Sequence, residues 1–240
     1  MKKIIFILTP IFCSIRAQEH VSLLKTPHLT LQYANVNDRH NYQDLMTSSD
    51  AVCQYLVGGK ITAEELKTKF NSALAKTYFF LDFAARNKTL FGKPIRGFRW
   101  KIISNETQKV IGYVALKNKD SAVQHLLPSD NYKSLSIFFD ESNQHKGYFK
   151  EVLTHLLPAV FTHTAYKDAD GIVGTCAKDN DKMIHCIHKY AGSLEGFSDT
   201  GTQLFPNGTT LVPHLTQFRI FTLSKSAILA LSSHNIEEEV

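Results

Sequence analysis

The chain is 240 residues long with 43% hydrophobic side chains, enough to bury a sizeable core within the ordinary size of one domain. Its 27 Lys and Arg against 22 Asp and Glu leave a formal charge of +5; with no long run of like charges this excludes a nucleic-acid-binding arm and suits either a solvated surface or a small polyanionic ligand. The four cysteines, Cys13, Cys53, Cys176 and Cys186, have no C-x-x-C spacing and do not describe a disulfide scaffold.

The N-terminus reads as an appendage over residues 1–21. Lys2-Lys3 precede the apolar run Ile4-Ile5-Phe6-Ile7-Leu8, then Thr9-Pro10-Ile11-Phe12-Cys13, with Ala17 as a cleavage residue. This resembles a short signal segment, and it is shorter than the roughly 20 residues that a membrane helix needs. No later stretch is long and uncharged enough to span a bilayer, so no membrane span is expected. Two locations stay open: cytoplasmic, the simpler reading of the cysteines, or exported through this segment. Asn87-Lys88-Thr89, Asn105-Glu106-Thr107 and Asn207-Gly208-Thr209 match the glycosylation pattern and matter only after export.

From residue 22 to residue 230 the pattern is that of one folded domain. His28 to Ala34 alternates apolar Leu29, Leu31 and Tyr33 with Thr30 and Gln32, as a half-buried strand does. Asn37-Asp38 offer a helix cap. Thr62-Ala63-Glu64-Glu65 is a capping box, in which the hydroxyl and the carboxylate each satisfy an orphan backbone donor. Leu66, Phe70, Leu74 and Tyr78 then recur at helical spacing as a core stripe.

At Gly97 the period changes to two. Phe98, Trp100 and Ile102 alternate with Arg99 and Lys101, and turn residues Ser104 to Thr107 lead into Val110 to Leu116, an antiparallel hairpin. Gly112 marks a bulge or a close backbone approach. Ser134 to Phe139 is a further strand. Val152, Leu153, Leu156, Leu157, Val160 and Phe161 predict a helix that Pro158 kinks or shortens. Gly171 to Cys176 reads as a strand, and Asp179-Asn180 cap a helix that runs to about Tyr190 and ends near Gly192. A last strand pair flanks Pro206-Asn207-Gly208, whose Asn-Gly dipeptide is a hairpin signal. Residues 231–240, with Glu237-Glu238-Glu239, read as an acidic tail. The fold class is therefore α+β, a single domain with a mixed, mostly antiparallel sheet flanked by helices.

The segment that carries chemistry is strand, loop, helix: Ser134 to Phe139, then Asp140 to Lys146, then Gly147 opening the helix. A loop entering a helix N-terminus presents unpaired N–H groups and the positive end of the helix dipole to an anion such as a diphosphate. Gly147 lets backbone approach that anion, while Gln144 and Lys146 offer a donor and a charge.

The run Gln144-His145-Lys146-Gly147-Tyr148-Phe149 resembles the acyl-CoA loop of GNAT-type N-acetyltransferases, in particular the branch that acetylates ribosomal-protein N-termini. Thr26 to Gln32 is similar to that branch's first strand, Val110 to Leu116 to its third, and Lys178-Asp179-Asn180 to the segment whose asparagine helps hold the pantetheine arm. The resemblance implies acetyl-CoA as co-substrate and a primary amine as acceptor, either a protein N-terminus or a small molecule. It also implies a coenzyme site made of the main chain around Ile137, Phe138 and Phe139, of Gln144, His145, Lys146, Gly147, Tyr148 and Phe149, and of Asn180. Phe149 stands where the family keeps a small residue. Ser134, Met183 and Ile187 stand where it carries a carboxylate, a serine and a tyrosine, so no base or acid is assigned, and Ser134 and Tyr190 are nearby candidates. These departures keep a second expectation open, a catalytically degraded module that binds acyl-CoA or a protein partner without turnover. His185, His188 and Cys176 supply only three ligands where structural zinc takes four, and no metal is expected. Cys186 beside a histidine is a conceivable nucleophile, but adjacent helical residues point in different directions. Tyr78-Phe79-Phe80 and Phe83 read as core more than as an acceptor pocket.

Overall fold

The computed structural model describes residues 23–50, 52, 62–70, 97–118, 129–163, 166–206 and 215–231. Among them eight strands form one sheet: β1 (Leu23–Lys25), β2 (Leu29–Tyr33), β3 (Gly97–Ser104), β4 (Val110–Asn118), β5 (Tyr132–Phe139), β6 (Gly171–Ala177), β7 (Phe197–Pro206) and β8 (Leu215–Ser224). Their order is β1-β2-β3-β4-β5-β6-β8-β7. Every neighbouring pair is antiparallel except β5 and β6. A parallel pair needs a crossover, and α3 (Tyr148–His163) supplies it. Further α-helices among the described residues are α1 (Arg39–Met46), α2 (Ala63–Phe70), α4 (Asp181–Ala191) and α5 (Lys225–Ala230).

The period-two signal sorts the sheet's faces. Phe98, Trp100 and Ile102 of β3, Val114 and Leu116 of β4, and Leu135, Ile137 and Phe139 of β5 meet Val152, Leu153, Leu156, Leu157, Val160 and Phe161 of α3 in the main core. Ile102 pairs with Gly112 but Ile103 with Val110. Ile111 is thus the extra residue of a bulge, which lets it face the same core as Val114 despite their odd spacing. A Cβ on Gly112 would meet the Phe138 carbonyl oxygen at 2.3 Å, so the glycine answers both readings of its position. On the opposite face Tyr42 of α1 packs edge-on against Tyr113 and Phe138, at 4.9 and 5.4 Å between ring centroids.

Several expectations change. The α3 helix continues through Pro158 to His163. Leu153, Leu156, Leu157, Val160 and Phe161 are all buried, so packing on both sides of the proline outweighs the lost hydrogen bond. Asp38 stands at the N-cap of α1 but makes no capping bond; its carboxylate accepts from the Asn35 N–H at 2.6 Å and from Lys101 Nζ at 3.0 Å. Pro206 pairs with Leu215, whereas a two-residue turn at Asn207-Gly208 would pair it with Thr209; residues 207–214 themselves lie outside the described residues. The capping box holds: Glu65 N–H donates to the Thr62 hydroxyl at 3.2 Å and Thr62 N–H to the Glu65 carboxylate at 2.9 Å. Leu66 is buried, while Leu74, Tyr78 to Phe80 and Phe83 lie outside the described residues, as do residues 1–22 and 232–240; Leu231, the first residue of the expected tail, is buried in the main core. Two elements carried too short a pattern to be read: β1, three residues on the sheet edge, and α5, capped by the Ser224 hydroxyl accepting from Ala227 N–H. Among the described residues no helix is long and apolar enough to cross a membrane.

The bulge makes a stability contrast. Gly112→Ala should cost about 1–3 kcal/mol in urea unfolding, because its Cβ would meet the Phe138 carbonyl oxygen at 2.3 Å, a backbone atom held in the β4–β5 ladder, as well as the Phe139 Cα and ring. Gly174→Ala, whose Cβ meets nothing within 4 Å, should not lower the midpoint.

Candidate active site

β5 and β6 run together only at their beginnings. Tyr132 to Leu135 pair with Gly171 to Gly174. Beyond that β5 stays on β4 as far as Phe139, while β6 stays on β8 as far as Ala177. The sheet forks, and the β6-side edge of residues 136–139 leaves the ladder. Backbone N–H and C=O groups there have lost their strand partner, which is the condition under which an extended ligand adds as a strand. Asp140 N–H points to β4, so by the two-residue alternation of a strand the main-chain groups of Ile137 and Phe139 point away from β4, to the fork, while their side chains pack on the core. Phe138 turns the other way, its ring stacked on Tyr113 at 5.9 Å.

The loop after β5 is tightly built. Asp140 N–H donates to the Ile111 carbonyl at 2.9 Å, and its carboxylate accepts from Asn143 N–H, capping a short 3-10 turn, Glu141–Asn143. Gln144 Nε2 reaches back to the Phe139 carbonyl at 3.4 Å, and exposed Lys146 bonds Asn143 Oδ1 at 3.0 Å. His145 has φ 63° and Gly147 φ 79°. Left-handed residues at the entrance to a helix are the kind of turn in which an anion-binding nest forms, and a non-glycine residue in that region carries backbone strain of the sort that clusters at ligand-binding loops. A Cβ on Gly147 would meet nothing within 4 Å. The first bond of α3 runs from Glu151 N–H to the Gly147 carbonyl at 3.2 Å, so the N–H groups of Tyr148 and Phe149 have no partner inside the helix. Tyr148 is buried and the half-buried ring of Phe149 packs on the main core. Beyond the end of β6, Asn180 caps α4 with its side-chain oxygen, which accepts from Met183 N–H at 3.2 Å; its amide nitrogen carries two further donors.

The family model of the acetyltransferase (GNAT) domain matches residues 28–191, more than half of the chain, and includes both strands that part at the fork and the helices α3 and α4. The chain belongs to the GNAT acetyltransferase family. No curated protein matches it in sequence. Solved structures agree in fold. An acetyltransferase (GNAT family) from Bacillus anthracis is 15% identical with a TM-score of 0.52, over 84% of this chain and 98% of that one. Spermidine N-acetyltransferase from Vibrio cholerae, in complex with CoA and spermine, is 16% identical with a TM-score of 0.52, over 84% and 98%. Ribosomal-protein-S5-alanine acetyltransferase from Vibrio fischeri is 14% identical with a TM-score of 0.50, over 85% and 96%.

In this GNAT chain the residues considered for proton transfer are spread out. Ser134 lies on β5 before the fork, opposite Lys117 and Val173. Met183 and Ile187 pack on Cys176, Ile184 and Phe221, an apolar cluster under α4. Tyr190 comes closer to the loop: Lys150 Nζ, on the first turn of α3, stands 5.8 Å from its ring centre and Lys189 Nζ 5.4 Å. Burial pushes the Cys176 thiol up to about 12, outweighing the lowering effect of Arg219, and burial likewise raises Cys186; neither is an activated nucleophile.

His188, weighed as a metal ligand, is engaged elsewhere. Its Nε2 bonds Asp199 Oδ2 at 2.8 Å, and Arg219 reaches the same carboxylate at 3.0 and 3.2 Å. Among the described residues no three His, Cys, Asp or Glu side chains gather into a metal site. Burial alone would raise the Asp199 carboxyl, but the Gly201 N–H, His188 and Arg219 outweigh it and hold it below its ordinary value. This cluster ties α4 to the β7 bulge at Asp199 to Thr202 and to β8.

A carboxyl whose folded value is depressed stabilises the fold above its unfolded pKa, and that contribution fades as pH falls through the depressed value. Thermal melts from pH 7 to pH 3 should therefore lose less stability in Asp199→Asn, which starts lower at pH 7, than in the wild type. Parallel curves would show that the cluster contributes nothing.

Proposed function

We propose that this chain transfers an acetyl group from acetyl-CoA to a primary amine, either a protein N-terminus or a small molecule. The observation that carries the reading is the fork: an extended edge at residues 136–139 leads through a loop with left-handed residues at His145 and Gly147 into the N-terminus of α3, where the helix dipole is positive. An acyl-pantetheine arm is extended and ends in a diphosphate, so strand edge and helix start match its two halves. Backbone N–H groups near Ile137 to Phe139 are placed to polarise a thioester carbonyl. The nest at His145 to Phe149 would hold the diphosphate, and the Asn180 amide the arm. The ring of Phe149 leans on the core, and its main chain belongs to the nest. Membership in the family and the CoA-bound relative support this assignment. The acceptor stays a class, since one similar structure is named for spermidine and another for a ribosomal-protein alanine.

A second reading has its own observation. Ile187 and Met183 are turned into an apolar cluster, and neither can carry a proton. A GNAT-fold module that binds acyl-CoA or a protein partner without turnover would look the same at these positions. Coenzyme release with spermidine, spermine and peptides beginning in alanine or serine separates the two. Turnover with any acceptor removes the second reading; binding without release across the panel removes the first.

Gly147→Val should weaken acetyl-CoA binding at least about tenfold by calorimetry, since a left-handed β-branched residue strains the nest by about 1–2 kcal/mol and its branches occupy open space. His188→Ala, whose partners lie under α4, should bind as the wild type does. Equal affinity in the Gly147 variant would place the phosphates elsewhere.

A further inference from the structure

Glu151 sits one turn into α3, and its side chain is only 10% exposed. A carboxylate buried beside a helix N-terminus would repel an incoming phosphate and is costly to desolvate unless its charge is taken up by donors. Here the donors come from the turn between β1 and β2. Oε1 accepts from the His28 N–H at 2.8 Å, from the Leu29 N–H at 3.1 Å and from the Thr26 hydroxyl, and Oε2 lies 3.0 Å from His28 Nδ1. These partners are 122 to 125 residues away in sequence. The turn is itself braced: Thr26 N–H donates to the Leu29 carbonyl at 2.8 Å, and Asn105 Nδ2 donates to the Thr26 carbonyl at 2.9 Å and the Pro27 carbonyl at 3.3 Å. Asn105 Oδ1 in turn accepts from the Thr30 hydroxyl at 2.7 Å.

Apolar packing of Tyr148, Val152 and Leu153 presses α3 onto the sheet but is non-directional, so it does not by itself set the helix's rotation or height. Three donors converging on one carboxylate oxygen do. From this geometry we infer that Glu151 is a positioning residue for the coenzyme: anchored to the Thr26–Leu29 turn, it fixes the first turn of α3, and with it the amides of Gly147 to Phe149, in the arrangement that receives the diphosphate. This rests on the proposed acetyl-CoA site. The side chain itself touches the turn.

The test uses the full chain with Glu151→Ala, Glu151→Gln and Thr26→Val. For Glu151→Ala the Kd and KM for acetyl-CoA should rise about tenfold or more, as expected for losing hydrogen bonds to a charged group, with kcat and the acceptor KM little changed. Glu151→Gln keeps an oxygen facing the His28 and Leu29 N–H groups and should restore most of the affinity. Thr26→Val, missing only the hydroxyl, should fall between. Amide exchange at Glu151 to Thr154, read without coenzyme, should quicken in Glu151→Ala and not in α4. If the alanine variant folds poorly, the glutamine and valine variants carry the test. Wild-type coenzyme affinity in both Glu151→Ala and Thr26→Val, loss of kcat and acceptor KM in step, or no recovery with glutamine would overturn the inference. A wild-type chain that binds no acetyl-CoA would instead overturn the site reading, while the exchange result would still report on the anchor.

Discussion

The structure turns on one parting of strands. β5 cannot leave β4, whose seven-residue ladder continues to Phe139, and β6 cannot leave β8. The separation after Leu135 and Gly174 therefore opens the middle of the sheet and not its rim. Peptide groups at the centre of a sheet are normally paired, because an unpaired buried one costs as much as a lost hydrogen bond. A fork at this position creates a standing demand for a partner with a strand's hydrogen-bonding capacity, and the loop at the open end supplies a place for that partner's negative charge.

The rest of the fold holds the two prongs in place. α3 is the crossover that a parallel pair requires, so the same helix that covers the core also aims its N-terminus at the open end of the fork. The missing side chain at Gly112 lets β4 approach β5 closely just where β5 must stand alone on its other side. Asp140 fastens the loop to Ile111, Glu151 fastens the helix to β2's approach, and the Asp199 cluster fastens α4 to β7 and β8. Polar ties surround the fork, while apolar packing fills the space behind it.

Much of this was legible in the sequence because periods and caps are local. The alternation in Phe98 to Ile102, the Thr62 to Glu65 box and the Asn180 cap each report on neighbours a few residues away. The strand-loop-helix around Gly147 was legible for the same reason. What was hidden depends on partners far along the chain. Nothing local to Glu151 points to Thr26, and nothing local to Asp38 shows that Lys101 will claim its carboxylate instead of a helix N–H. Nor does anything local to His188 announce Asp199, which β7 brings against it. Pro158 does not shorten α3, because burial on both sides of it offsets the hydrogen bond that its ring removes.

The most direct measurement is a crystal structure of the full chain with CoA. The account places the pantetheine alongside residues 136–139 between the prongs, with the diphosphate within hydrogen-bonding distance of the Gly147 to Phe149 amides and the Phe149 ring still against the core. CoA bound elsewhere, or a fork closed by β6 with the coenzyme excluded, would contradict it.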